Sequence, residues 1–334
     1  LVPDHQGIVH NTMQDAALGA FKVSDQMAVG EGRWWGGEPI WVGAARAGMS
    51  SAALFWPGSQ ADIAGRRPTR WLPYDATMPI DARIDTLAGW LSEGAATRPR
   101  IAVMYLETVD EAAHAHGPHS PQAHAAVRRV DAALGRLLAH LDGKGRRRHT
   151  NLLVVSDHGM ATVPPGRVIA VEDMVPLEEA VVVTVGQVIT VAPRRGQDTA
   201  VARRLLGAHA QYDCWRKDAL PPRWRYGTHP RIPPIVCQMH EGWDALARES
   251  IAMRPAHERG SHGYDPESPA LRALFVASGP AFRRGATLPP FPNVDVYALL
   301  AALLGITPAP HDGDAARLLP ALRGDGPVGD DGPD

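Results

Sequence analysis

Four aliphatic residues, Leu152 to Val155, run straight into Ser156, Asp157, His158 and Gly159. The run is apolar on both faces, the pattern of a strand in a parallel sheet covered by helices on either side. The strand cannot continue into Asp157, because burying an unpaired carboxylate is costly. Gly159 permits a sharp turn immediately afterwards. In open α/β sheets, ligands sit in the crevice beyond the carboxyl ends of the strands. Asp157 and His158 therefore stand where a site belongs, although a plain turn with a satisfied Asp and a solvated His reads the same way.

Other segments repeat this alternation. "EPIWVGAARAGMSSAALFW" (38–56) reads as a short strand, a helix and a strand, with Gly48 as the helix C-cap. Residues 81–95 carry helical apolar spacing through Ile84, Leu87, Trp90 and Leu91. "RIAVMYLET" (100–108) is a second buried-type strand. Residues 120–141 form a long helix with Ala126, Val130, Ala133, Leu134, Leu137, Leu138 and Leu141 on one face, and Ser120-Pro121 as N-cap and first residue. Strands alternating with helices predict an α/β fold.

From about 165 to 250 the pattern changes. "AVVVTVGQVITVAP" (180–193) predicts two strands around a turn at Gly186, and residues 198–210 a helix. We divide the chain into a core over 1–165, an inserted α+β region over 166–250, a continuation of the core over 251–322 with a strand in "LRALFVASGPAF" and a helix over 294–306 stopped by Gly305, and a disordered Gly/Asp/Pro-rich tail over 323–334.

Composition narrows the function classes. The formal net charge of −2 provides no bulk electrostatic surface for nucleic acid. No apolar stretch reaches the roughly eighteen residues of a membrane span. Cys214 and Cys237 form no C-x-x-C pair, which argues against a cysteine zinc site; they fit either one disulfide or two free thiols.

Two further clusters resemble the first. Asp110 and His114 are four residues apart, so on a helix a carboxylate and an imidazole share one face. His262 lies between Gly260 and Gly263 in a polar loop before the strand near 271–277. Each cluster alone fits an exposed surface. Together they offer two Asp and three His beside the ends of buried strands, a donor set suited to a borderline metal such as zinc. Five ligands exceed one catalytic zinc and suit two ions sharing a site about 4 Å apart, the arrangement that clamps attacking and leaving oxygens in phosphoryl transfer.

These segments resemble the nucleotide pyrophosphatase/phosphodiesterase family of the alkaline phosphatase superfamily. The resemblance runs from Leu1 to about His311 and rests on "PDHQGIVHNTM" (3–13), "FWPGS" (55–59), "YLETVDEAAHAHGPHS" (105–120), "VVSDHGM" (154–160), "SHGYDPES" (261–268) and "PPFPNVDVYALLAALLGITPAP" (289–310). It implies an alkaline-phosphatase-like three-layer fold with a central, mostly parallel sheet and a smaller inserted α+β region. It implies two zinc ions, one held by Asp110, His114 and His262, the other by Asp157 and His158 with a further Asp. It implies that Asn11 hydrogen-bonds the substrate phosphate and that Tyr105 stacks on a nucleotide base. Read from the residues alone, Asn11 is equally a turn residue and Tyr105 an ordinary strand aromatic.

The sequence departs from the family pattern at its start. The metal-binding Asp after the first strand and the nucleophilic Thr are expected upstream of Leu1, and Thr12 does not replace the latter. The resemblance implies hydrolysis of a small phosphodiester or nucleotide through a phospho-threonine, with these residues by themselves inactive. It also implies export to the periplasm or outside the cell. A metal-binding relative without activity, or another hydrolase of the superfamily such as a phosphomonoesterase or phosphonate hydrolase, keeps the same metal residues. Neither cysteine begins the C-x-P-x-R pattern of sulfatases.

Overall fold

The computed structural model describes residues 1–324. Three parallel strands, β1 (Ser51–Leu54), β2 (Arg70–Leu72) and β3 (Ile101–Met104), form one piece of sheet with β1 in the middle. Leu54 lies opposite both Leu72 and Met104, and every residue of β1 is buried. A second piece joins β4 (Leu152–Val155) to a strand later in the chain, Phe275–Ser278, in antiparallel register with Phe275 opposite Val155. The edge of β3 away from β1, and the edge of β4 away from Phe275–Ser278, pair with no strand among the described residues. All eight residues of β3 and β4 are accordingly half-buried, although their aliphatic character predicts full burial.

Helices cover these strands as their periodicity requires. α1 (Ile80–Leu91) and α3 (Pro121–Gly143), with α2 (Thr108–His116) between them in the chain, pack Ile84, Leu87, Ala133, Leu137 and Leu141 into one cluster against Ala102 and Met104 of β3. The Ser120 hydroxyl accepts from the Ala123 amide at 3.0 Å and caps α3. The last helix, α4 (Asp295–Leu304), ends on Gly305 at φ +65°, a left-handed position that glycine adopts without strain.

The region after 165 folds around a five-stranded antiparallel sheet, in the order Gly207–Ala208, Tyr212–Arg216, Ile235–Met239, Val188–Pro193 and Ala180–Thr184. The predicted turn at Gly186 joins two of these strands. Cys214 lies directly opposite Cys237, both are buried, and they form a disulfide.

Three predicted elements differ. Residues 38–56 contain no strand before the helix Ile40–Arg46, because Pro39 is its N-cap and Ile40 to Ala44 are all buried as helix. The helix near 198–210 ends at Leu205, since Gly207 at φ +106° turns the chain into a short strand against Cys214. Gly159 does not make a sharp turn through positive φ; it is needed because a Cβ there would stand 2.2 Å from the Ala270 carbonyl oxygen. The predicted tail beyond Gly324 lies outside the described residues. Among the described residues no helix is long and apolar enough to cross a membrane.

Candidate metal centre

Asp110 stands in the first turn of α2, which begins just beyond the carboxyl end of β3. The four-residue spacing works as helix geometry dictates, and His114 Nε2 lies 3.5 Å from Asp110 Oδ1. His262 arrives from a segment much later in the chain. It follows the strand β5 (Arg259–Ser261), which pairs antiparallel with Ala161–Val163, the strand just after His158. Its Nε2 lies 3.8 Å from the same Asp110 oxygen. Asp157 and His158 follow β4, and His158 Nε2 is 3.3 Å from Asp157 Oδ2.

The imidazoles interlock. The His158 and His262 rings stack with centroids 3.5 Å apart, and the His114 ring is tilted against His262 at 4.9 Å. Donor atoms of Asp110, His158 and His262 all lie within 4.8 Å of one another. The three sequence clusters thus meet at one place, at the carboxyl ends of β3 and β4.

The hydrogen bonds show what this place lacks. His114 Nδ1 lies 3.0 Å from the Gly260 carbonyl, and His158 Nδ1 lies 2.8 Å from the Gly159 carbonyl. A carbonyl only accepts, so each Nδ1 carries the proton and donates. Each Nε2 then presents its lone pair to a carboxylate oxygen unless the ring is doubly protonated. Asp110 Oδ1 is buried and has no hydrogen-bond partner. A buried oxygen left in this state carries a desolvation cost, and a cation between it and the facing nitrogens removes that cost. The residues therefore fit a metal ion.

The charge state of His262 favours the same reading. Burial, reinforced by His158 and His114, pushes His262 down to about 4, so it remains a neutral lone-pair donor at ordinary pH. Burial opposes charge on Asp157 and His158 as well, but their mutual pairing outweighs it, holding Asp157 below and His158 above its usual value. Burial, then the charges of Asp110 and Asp157, push the Tyr105 phenol far above its ordinary range, which makes Tyr105 a neutral neighbour of both carboxylates.

Asn11 is held by backbone pairing. It is exposed at the start of a hairpin, Thr12–Asp15 with Gly19–Lys22, and its carbonyl accepts from the Val23 amide at 2.9 Å. Among the described residues its side chain forms no hydrogen bond to the five metal candidates.

Two contributors are given no role by the sequence reading. Asn293 donates from Nδ2 to the carbonyls of Ser156 and, at 3.4 Å, Asp157, fixing the backbone at the end of β4. Gly260 lets β5 pack on α2, since a Cβ there would lie 2.5 Å from the Ala113 carbonyl oxygen. Its only sequence signal is its place beside His262.

Residues 1–265 match the family described as type I phosphodiesterase / nucleotide pyrophosphatase. The chain belongs to this family. It is 30% identical over 314 residues to human ectonucleotide pyrophosphatase/phosphodiesterase family member 5, covering 94% of this chain and 65% of that protein. It is also 30% identical to an uncharacterised pyrophosphatase/phosphodiesterase of Schizosaccharomyces pombe, covering 97% of this chain and 69% of that protein. Among solved structures, murine member 5, an inactive threonine-to-alanine variant in complex with AMP, superposes with a TM-score of 0.90 at 32% identity, covering 97% of this chain and 85% of that one. The fold is therefore the alkaline-phosphatase-like α/β architecture of the family. The chain spans 65% of the length of human member 5 and 36% of that of murine member 1.

Proposed function

We propose that the five residues Asp110, His114, Asp157, His158 and His262 hold two zinc ions, and that the site serves hydrolysis of phosphodiester or phosphoanhydride bonds in nucleotides. The observation that carries the reading is the buried, unpartnered Asp110 Oδ1 facing the Nε2 atoms of His114 and His262. Bound zinc supplies Lewis-acid stabilisation of phosphoryl oxygens.

The protein's own groups have separable tasks. The backbone carbonyls of Gly260 and Gly159 fix His114 and His158 as Nδ1-protonated tautomers, so both keep Nε2 as donor atom. Tyr105 offers a neutral ring beside the two carboxylates for stacking on a base. Asn11 supplies an amide donor for a phosphate oxygen, which requires its hairpin to lie against the bound substrate. Covalent attack falls to a threonine outside these residues. The inactive threonine-to-alanine form of the murine relative supports a threonine in that role. On this reading residues 1–334 by themselves bind metal but show little turnover.

The Cys214–Cys237 disulfide supports an oxidising compartment, the periplasm or the cell exterior, as the protein's location. The names of the ectonucleotide relatives agree with that location. The test is metal analysis after dialysis against zinc, with two equivalents expected and none overturning the reading. Assay of a form extended upstream with a nitrophenyl ester of thymidine monophosphate, a simple phosphate monoester and a sulfate ester then separates the reaction classes. Equal turnover by the unextended chain overturns the placement of the nucleophile.

A further inference from the structure

Arg83 and Glu107 form an ion pair that the metal centre does not use. Both are buried, at 3% and 8% exposure, and both guanidinium nitrogens reach the carboxylate at 2.6 Å. Arg83 Nε also donates to the Met78 carbonyl at 2.9 Å, and its guanidinium lies over the Phe55 ring at 4.9 Å. Arg83 belongs to α1 and Phe55 follows β1 directly. The fork is thus anchored from two neighbouring elements before it meets Glu107.

Glu107 is the N-cap of α2. Its carbonyl accepts the first intrahelical bond, from the Glu111 amide at 3.0 Å, yet its side chain caps nothing and points to Arg83 instead. Asp110 follows one turn later and His114 one turn beyond that. A bidentate fork accepts a carboxylate in one plane, so it fixes direction as well as distance. Rotating or sliding the start of α2 breaks that plane. A buried ion pair adds little stability over an apolar pair of the same volume. Its value here lies in register.

We propose that the Arg83–Glu107 pair is the positioning device that sets the register of α2 and so aims Asp110 and His114 at the shared centre. Neither residue touches the metal position; both act through Asp110 and His114. The proposal rests on the metal reading above.

The test uses the whole chain and reads metal binding. The variants are Arg83→Lys, which keeps charge but loses the fork, and the double change Arg83→Met with Glu107→Leu, which removes both charges together. A control removes the exposed Asp85–Arg136 pair, which joins α1 to α3 away from the centre. Zinc affinity is measured by chelator competition, cobalt absorption reports ligand geometry, and thermal unfolding reports the fold. The double variant is expected to unfold near the wild-type temperature, bind zinc about 10–100-fold more weakly and show an altered cobalt spectrum, the scale of losing an outer partner of a metal ligand. Arg83→Lys is expected to lose affinity severalfold, and the control none. Wild-type affinity and cobalt spectrum in the double variant overturn the proposal. Should the double variant not fold, unchanged affinity in Arg83→Lys overturns it. Failure of the wild type to bind zinc or cobalt overturns the metal reading, a separate outcome that takes this proposal with it.

Discussion

His114 Nδ1 lies 3.0 Å from the carbonyl oxygen of Gly260, a residue 146 positions further along the chain. This one bond fixes the His114 tautomer and holds β5, which leads into His262, against α2. Gly260→Ala places a methyl 2.5 Å from the Ala113 carbonyl oxygen and 2.7 Å from Met160 Cγ. Overpacking of this kind costs about 1–3 kcal/mol. We expect Gly260→Ala to lower stability in denaturant unfolding and to weaken zinc binding, because β5 must move. Unchanged zinc affinity places the contact outside the metal centre.

Asp110→Ala and His262→Ala each remove a donor from the same group. Each variant is expected to retain one zinc equivalent where the wild type retains two, measured on dialysed protein. Chelation of the wild type should lower its unfolding temperature, since a ligand at 100 times its dissociation constant stabilises by about 2.7 kcal/mol. Two equivalents in both variants exclude these residues as ligands.

Asp15 gives a pH signature independent of the metal. Donation from Arg231, at 2.7 Å, holds its carboxyl down to about 2, assisted by the amides of Ala17 and Leu18. A carboxyl depressed in the folded state contributes stability above its unfolded value and loses it as pH falls through the folded value. The stability difference between wild type and Asp15→Asn is therefore expected to be complete at pH 5 and to shrink between about pH 3.8 and about 2. Its size is on the order of 1 kcal/mol, discounted because the pair keeps some solvent contact. A difference independent of pH removes the ion pair as its cause.

The disulfide closes a loop with a sequence separation of 23 and ties Tyr212–Arg216 to Ile235–Met239. Loops of this length are worth about 3 kcal/mol of unfolded-state entropy. Cys214→Ala with Cys237→Ala is expected to lower the unfolding temperature by several degrees. Metal stoichiometry should be unaffected, because neither cysteine touches the centre. A loss of zinc in this variant ties the five-stranded sheet to the site.

Much of the candidate site was legible in the sequence because its signals are local. Asp110 and His114 share a helical face by spacing alone. Asp157 and His158 stand out because an aliphatic strand stops at them. Helix periodicity placed Ala133, Leu137 and Leu141 inward, and Ser120-Pro121 marked where α3 begins. Local patterns of this sort reflect helix pitch and strand pleat, which each segment carries with it.

Tertiary structure alone decided the rest. Whether His262 approaches Asp110 depends on the pairing of β5 with Ala161–Val163, a long-range choice that no local spacing encodes. The same holds for the cysteines, whose sequence fits pairing or freedom equally, until antiparallel register sets Cys214 opposite Cys237. Gly159 reads as a turn residue in sequence, yet its role is to admit the backbone of Ala270. In sequence, Arg83 falls in a segment of helical spacing and Glu107 near the end of the run 100–108 that reads as a strand, and neither stands out. Only the packing of α1 beside the end of β3 buries them together, where desolvation and a fixed fork convert two charges into one direction for α2.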